Sequence, residues 1–230
     1  PLYMGGLNLS SVSNDLSEPL KNADLIIAIG TRLDEFTTLS YSSPSTSQKL
    51  IHIDQSPEET GGSWLGADLA LVADAGEAMD KLEEALKYSR HAKPSKARQK
   101  QIADWSEYFT KRTTPRGNRI GFKDGTIDLE GIYHDILNIL TDDASITCDA
   151  GDFGSWLIRY YKWNKPRTFF GPTTGAMGYA LPAAIAAKLA RPQAPAIAFA
   201  GDGGFAMTMS ELETAVRLKL AGLVVLVFNN

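Results

Sequence analysis

The sequence predicts an α/β fold with two doubly wound, Rossmann-like parallel sheets. In both halves of the 230-residue chain, short β-branched apolar runs alternate with amphipathic helical patterns, as in parallel sheets covered by helices. A basic, polar stretch around Pro94 separates the two halves. We therefore expect a first domain over residues 1–88, a linker and connecting helix over 89–125, and a second domain over 126–230.

The first predicted domain contains two clear strands and one clear helix. Residues 25–29 and 50–53 are short, β-branched and nearly continuous, which is typical of strands covered on both faces. Asp74 and Glu77 form a capping-box pattern that predicts the start of a helix. The apolar residues that follow recur at helical spacing: Ala75, Met79, Leu82 and Leu86.

The predicted linker has a different composition from the segments around it. Residues 89–101 carry basic and polar side chains with almost nothing to bury, so we expect a linker there. An amphipathic helix with Ile102 and Trp105 is predicted to follow it. In the second domain, Asp128 is the predicted N-cap of a helix, and Cys148 lies on a predicted strand.

The last predicted unit is a strand, a helix and a second strand. Residues 196–200 form the first strand, and a Gly-Asp-Gly-Gly turn over residues 201–204 follows it directly. Ser210 and Glu213 form a capping-box pattern, so we expect the helix to begin at Ser210. The final strand is predicted over residues 223–228.

Asp202 and Asn230 each lie just past the end of one of these two strands. Because parallel strands joined by a helix end at the same edge of the sheet, we expect the two side chains to meet there. Carboxylate and amide oxygens suit Mg²⁺, which often completes its shell with phosphate oxygens. Gly203 and Gly204 let backbone N–H groups approach an anion, and the following helix presents its positive end. These residues predict a magnesium-bridged phosphate.

The glycine-rich turn has three other interpretations, namely an ordinary strand-to-helix turn, a nucleotide P-loop and a dinucleotide site. A Gly-Asp-Gly sequence alone occurs in tight strand-to-helix turns, so the asparagine pair at the end of the chain is what favours a metal site. The sequence has no GxxxxGK[ST] motif and no GxGxxG motif after a strand. This pattern argues against a nucleotide P-loop and against a dinucleotide site at this turn.

The pairing of residues 201–203 with 229–230 resembles the cofactor motif of thiamine-diphosphate-dependent enzymes such as pyruvate decarboxylases, benzoylformate decarboxylases and acetolactate synthases. Residues 23–33 and 51–54 resemble the central domain of that superfamily. Residues 175–184 resemble the helix before the motif, most closely in acetolactate synthases. The resemblance covers most of the chain and implies a central domain and a diphosphate-binding domain, both truncated here.

The resemblance also implies which residues hold the cofactor. It implies that Asp202 and Asn230 bind Mg²⁺, and that thiamine diphosphate contacts Gly151, Asp152, Gly175, Ala176, Met177, Gly201, Gly203, Gly204 and Asn230. In this interpretation Met177 is the bulky apolar residue that keeps the cofactor bent. A Met at helical spacing is also typical of an ordinary core, which is the alternative for Met177.

Residues 149–156 match a segment that presents a Gln-His pair near the diphosphate in acetolactate synthases. Here Asp152 and Phe153 occupy those two positions. An anionic Asp152 beside a diphosphate is repulsive, so we expect its side chain to cap the helix or to face away. The difference weakens the case for acetolactate synthase proper.

The resemblance implies a Mg²⁺- and thiamine-diphosphate-dependent enzyme that decarboxylates a 2-oxo acid or joins it to a second carbonyl compound. The activating glutamate of that family lies on an N-terminal domain, usually of a partner subunit. We therefore expect a fragment, without a catalytic residue of its own, of a homodimer or homotetramer. Two alternatives stay open, namely a nucleotide-binding oxidoreductase module and a non-catalytic regulatory paralogue.

Two further residues, Arg32 and Asp54, lie at strand ends in the first predicted domain. They are candidates for binding the ADP part of FAD, as the central domains of some relatives do, and an ion pair or a turn is the alternative. His52, His91 and His134 have no nucleophile near them in the pattern, so we assign them no catalytic role.

The composition excludes several classes of partner. With 23 Lys and Arg against 27 Asp and Glu, the chain has no basic field to gather nucleic acid or an anionic membrane. No apolar stretch approaches the roughly 20 residues that cross a bilayer. Cys148 is the single cysteine, which excludes an internal disulfide and fits a cytoplasmic protein.

Overall fold

The computed structural model contains two compact units, residues 1–111 and 112–230, each with its own sheet. The structure describes residues 19–61, 65–88, 94–117 and 127–229. All strand pairs in both sheets are parallel, which confirms the predicted α/β class with two parallel sheets. The domain boundaries given above stay predictions.

The first unit has a three-stranded parallel sheet in the order β1-β2-β3. Its elements are β1 (Leu25–Ile29), β2 (Lys49–Asp54), β3 (Leu69–Val72), α1 (Ala75–Tyr88) and α2 (Lys96–Arg112), whose last residue falls in the second unit. The central strand β2 buries Leu50 and His52 almost completely. Both strands predicted in this region are confirmed.

One face of the strand β1 is largely exposed in the part of the chain that the structure describes. Leu25 is 46% exposed and Ile27 is 44% exposed, whereas Ala28 on the opposite face of β1 is buried. Successive side chains of a strand point to opposite faces, so only one face of β1 is covered. The expectation that both faces are covered is therefore wrong for β1, whereas β2 buries Leu50 on one face and Ile53 on the other.

Side-chain caps mark the starts of the two helices in this region. Asp74 Oδ1 accepts the N–H groups of Gly76 and Glu77 at 2.8 and 3.1 Å, which confirms the predicted start of α1. Ser95 Oγ accepts the N–H of Arg98 at 3.1 Å, and α2 begins at Lys96. The helix expected after residue 101 thus begins earlier, because Lys, Arg and Gln form exposed helices readily without burying an apolar face.

The second unit has a four-stranded parallel sheet in the order β5-β4-β6-β7. Its elements are α3 (Leu129–Ile139), β4 (Ser145–Cys148), α4 (Phe153–Tyr160), β5 (Phe169–Phe170), α5 (Ala180–Ala190), β6 (Ala196–Gly201), α6 (Asp202–Thr208), α7 (Glu211–Arg217) and β7 (Leu223–Phe228). The central strands β4 and β6 are buried along almost their whole length, and α5 packs against both. In the ranges described above, no helix has both the length and the apolar character needed to span a membrane.

An aromatic cluster fills the sheet face beneath α3. The rings of Tyr133, Phe199 and Phe228 stack with centroids 5.7 to 6.1 Å apart. The Tyr133 hydroxyl donates to the carbonyl oxygen of Phe153 at 2.6 Å, and burial raises the pKa of Tyr133 well above its ordinary value. Tyr133 therefore stays neutral and fixes the first residue of α4. At the start of α3, Asp128 accepts the N–H of Gly131 at 3.2 Å, as predicted.

Candidate functional site

The carboxyl ends of β6 and β7 lie side by side, as the strand-helix-strand pattern predicts. Gly201 at the end of β6 pairs in register with Phe228 at the end of β7. Asp202 and Asn229 therefore leave the sheet from neighbouring strands, which lie about 4.8 Å apart in a sheet. Both are exposed. Asn230, the predicted second metal ligand, lies outside the described residues.

The helix predicted from Ser210 is present, and the structure has an additional helix between it and β6. Helix α6 starts at Asp202, with Gly201 as its N-cap, and a second helix, α7, starts at Glu211. The predicted capping box at Ser210 is wrong. The backbone of Ser210 is helical, with φ −58° and ψ −25°, whereas a capping side chain needs an extended backbone. Its partner Glu213 instead pairs with Arg217, with an Nε to Oε1 distance of 3.1 Å.

Met177 lies over the glycine-rich turn. Its Cε is 3.2 Å from the point where a Cβ on Gly203 would stand. Met177 is 49% exposed, so it is not an ordinary core residue in this unit. The turn that carries it contains Gly175 at φ +67° and Gly178 at φ +84°, backbone values that favour glycine. The predicted residues Met177 and Gly203 are thus brought together.

Gly204 is in close contact with a carboxylate. It is buried, and a Cβ on it would overlap Asp149 Oδ2. Only a residue without a side chain fits at position 204 while Asp149 keeps this conformation. The Asp149 carboxylate therefore covers this side of the Gly204 backbone.

Asp149 is the residue of this site that sequence reasoning missed. It follows β4 directly, is only 4% exposed, and accepts three backbone N–H groups. These bonds join Oδ1 to Ala150 at 3.2 Å, Oδ1 to Tyr179 at 3.1 Å and Oδ2 to Gly178 at 2.9 Å. Its position straight after an apolar strand, at the carboxyl edge of a parallel sheet, is the signal that points to it.

The segment after Asp149 differs from its prediction in one respect. Asp152 stands at the N-cap position of α4 and is exposed, but its side chain makes no capping hydrogen bond. The predicted cap is wrong because the backbone of Asp152 is helical, with φ −63° and ψ −28°. The ring of Phe153 packs against Gly151 and Gly201 and is stacked on Phe228 at 5.4 Å. Phe153 is therefore part of the floor beneath the turn.

Cys148 is a neutral, structural thiol. Burial, with a smaller contribution from the charge of Asp149, raises the pKa of Cys148 to about 12. A thiol with such a pKa is not a nucleophile near neutral pH. Its Sγ packs against the backbone of Gly154 in α4. The predicted burial of Cys148 on a strand is confirmed.

The candidate residues of the first unit have structural roles. Asp54 Oδ1 accepts the N–H of Ser56 at 2.8 Å, so Asp54 is a turn residue, which was one of the two interpretations given for it above. Arg32 is exposed. His52 is fully buried between two loops. Its Nδ1 accepts the N–H of Gly61 at 3.1 Å, so Nε2 carries the proton and donates to the Thr31 carbonyl at 2.8 Å. His52 is thus a neutral connection between loops.

The donor set at the β6 and β7 ends suits a lightly ligated, hard cation. Within the part of the chain that the structure describes, no three His, Cys, Asp or Glu side chains lie close enough to hold a metal ion. Asp202 supplies one exposed carboxylate at this edge, which is a hard oxygen ligand of the kind that Mg²⁺ takes together with phosphate and water. Gly203 and Gly204 present backbone without a side chain beside Asp202.

Two family models match separate stretches of the chain. Residues 149–230 match the thiamine pyrophosphate enzyme, C-terminal TPP binding domain. Residues 1–82 match the central domain of thiamine pyrophosphate enzymes. All the site residues predicted from the sequence fall inside the first of these matches.

Individual relatives agree with these models. The chain is 29% identical over 218 residues to a probable acetolactate synthase large subunit of Methanococcus aeolicus, covering 92% of this chain and 36% of that protein. It is 33% identical over 198 residues to an acetolactate synthase of Mycobacterium leprae, covering 85% and 31%. It is 28% identical over 207 residues to the acetolactate synthase isozyme 3 large subunit of Escherichia coli, covering 90% and 35%. The chain spans about a third of the length of these relatives.

Proposed function

Because the chain belongs to the thiamine-diphosphate-dependent enzymes, we propose that it is part of a Mg²⁺-dependent enzyme that acts on a 2-oxo acid. The observation that carries the proposal is the register of Gly201 with Phe228, which brings Asp202 to the end of β7. Thiamine diphosphate, when bound, supplies the carbanion-stabilising chemistry that allows a 2-oxo acid to lose CO₂. The chain contributes the residues that hold it.

In this proposal the metal is held at the neighbouring strand ends. Asp202 provides a carboxylate oxygen and Asn230 an amide oxygen, and both approach the ion from the edge of the sheet. The exposure of Asp202 and its place at the first residue of α6 support this role, because the carboxylate is free to turn toward an ion. The remaining positions on Mg²⁺ belong to phosphate oxygens and water.

The diphosphate is held by backbone around this ion. We assign the closest approach to Gly203 and Gly204 because neither carries a side chain. On the protein side their backbones already contact Met177 and Asp149. Backbone groups of Gly151, Asp152, Gly175, Ala176 and Gly201 complete the proposed contacts. The exposed side chain of Met177, lying over Gly203, is placed to support the rest of the cofactor.

The reaction proposed is acetolactate synthase-like, either decarboxylation or carboligation. Asp152 and Phe153 distinguish this site from the Gln-His arrangement described above, because the Phe153 ring is buried in the floor and offers no hydrogen bond. The activating glutamate is proposed to come from a further domain, in a homodimer or homotetramer. Binding of FAD to the first unit lacks support from Asp54, whose carboxylate is engaged in a turn.

Ligand-induced thermal stabilisation of the full-length protein tests this proposal. We expect thiamine diphosphate with Mg²⁺ to raise the melting temperature, since a ligand that binds only the folded state stabilises it. NAD, NADP and FAD serve as the comparison ligands. Stabilisation by one of these and not by thiamine diphosphate contradicts the proposal. Pyruvate turnover by the stabilised protein then separates an enzyme from a regulatory paralogue, which binds the cofactor without consuming pyruvate.

A further inference from the structure

Asp149 is a buried carboxylate that touches three separate parts of the second unit. It belongs to the end of β4, it binds the turn that precedes α5, and it contacts α6 at Gly204. We propose that Asp149 is a positioning residue, which holds the Gly178–Tyr179 turn against Gly204 and so sets the distance between Met177 and Gly203. The cofactor part of this inference rests on the function proposed above.

The hydrogen bonds of Asp149 require a carboxylate. An ionised carboxylate only accepts hydrogen bonds, and both of its oxygens are used here by backbone N–H groups. A buried charge is costly unless such bonds satisfy it. These three bonds therefore explain how a charged side chain remains at 4% exposure beside a proposed anion site.

The turn that Asp149 binds needs an external support. Its two glycines have positive φ values, and glycine can adopt many other backbone conformations as well. The glycines alone therefore do not fix the conformation of the turn. Gly178 also lies close to α6, since a Cβ there would stand 3.2 Å from Thr208 Cγ2 and 3.3 Å from Met207 Cβ. A bond from Asp149 to the Gly178 N–H selects the one conformation that fits this narrow space.

The consequence for the proposed cofactor site is direct. Asp149 binds Gly178, which is the next residue after Met177. Asp149 also contacts Gly204, which is the next residue after Gly203, and Met177 lies over Gly203. One carboxylate thus connects the turn and α6. Asp149 itself touches neither the reacting atoms nor the metal ligands in this arrangement.

Amide hydrogen exchange in the cofactor-free, full-length protein tests this role. In Asp149→Ala, we expect the N–H groups of both Gly178 and Tyr179 to exchange about tenfold faster or more, as the loss of a hydrogen bond implies. Asp149→Asn keeps one acceptor oxygen, which can still accept the N–H groups of Ala150 and Tyr179. Its amide NH₂ group then faces the Gly178 N–H, and two donors cannot form a hydrogen bond. In that variant we expect about tenfold faster exchange at Gly178 but not at Tyr179.

Asp143→Asn is the matched control, because it makes the same chemical change at the opposite end of β4. We expect it to leave exchange at Gly178 unaltered. Thiamine diphosphate affinity with Mg²⁺ should fall about tenfold in Asp149→Asn and stay unchanged in Asp143→Asn. Unaltered protection of Gly178 in Asp149→Asn, or loss of protection throughout β6 in that variant, overturns the inference. If the wild-type protein binds no thiamine diphosphate, the proposed function fails while the exchange result still decides the role of Asp149.

Discussion

Phe153 and Phe228 stack with their ring centroids 5.4 Å apart and their planes only 5° from parallel. Phe228 is the last residue of β7, and the Phe153 ring also packs against Gly201 at the end of β6. The pair therefore forms an apolar floor directly under the place where Asp202 and Asn229 leave the sheet. This stacking joins the ends of the two strands that precede the proposed metal ligands Asp202 and Asn230.

Phe153→Ala is expected to remove this floor and to lower the free energy of unfolding by about 3–5 kcal/mol, as for other buried phenylalanines. Phe153 is only 9% exposed, so its truncation removes almost the whole ring from the packed interior. Urea denaturation measures the effect. Phe36→Ala is the control, because Phe36 is largely exposed and its truncation should change stability by less than about 0.5 kcal/mol. Similar losses in both variants would contradict the packing described for Phe153.

Gly204→Ala should destabilise the protein by about 1–3 kcal/mol, because the new methyl group overlaps Asp149 Oδ2 in a site with no free space. The shift of the urea denaturation midpoint measures this change. Gly66→Ala provides the comparison, since a Cβ at Gly66 meets no atom within 4 Å. An equally stable Gly204→Ala protein would show that Asp149 does not occupy the space beside this glycine.

Met177→Ala separates a cofactor role from a packing role. Since the side chain is about half exposed, its truncation should change the free energy of unfolding by less than about 0.5 kcal/mol. Thiamine diphosphate affinity should nevertheless fall about tenfold or more, as the loss of an apolar contact of this size implies. Calorimetric titration compares it with Met209→Ala, another exposed methionine. Equal affinity in the two variants argues against the role of Met177.

The parallel sheets and the neighbouring ends of β6 and β7 were predictable because they follow from local pattern and chain connectivity. A helical connection between two parallel strands is enough to place Asp202 beside the end of β7. The role of Asp149 was not predictable in this way, because its partners Gly178 and Tyr179 are distant in sequence. The false capping box at Ser210 has a similar cause, since α6 starts at the turn itself and leaves Ser210 between two helices.

Cys148 provides a pH test of the core at the site. The folded protein raises its pKa from the ordinary value of 9.0 to about 12, so the folded state keeps a proton that the unfolded state releases. Stability contributed by the neutral thiol is therefore complete below pH 9 and is lost progressively as the pH rises toward 12. We expect the melting temperature to fall more steeply above pH 9 in the wild type than in Cys148→Ala. Parallel pH profiles would contradict the raised pKa.

The affinity of the full-length protein for thiamine diphosphate, titrated with and without Mg²⁺, tests the proposed metal anchor most directly. The comparison is between the wild type, Asp202→Ala and Glu213→Ala, which removes an exposed carboxylate on α7. We predict that Mg²⁺ strengthens binding in the wild type and in Glu213→Ala, and that Asp202→Ala abolishes this dependence. Unchanged, magnesium-dependent affinity in Asp202→Ala would contradict the assignment of Asp202 as the metal ligand.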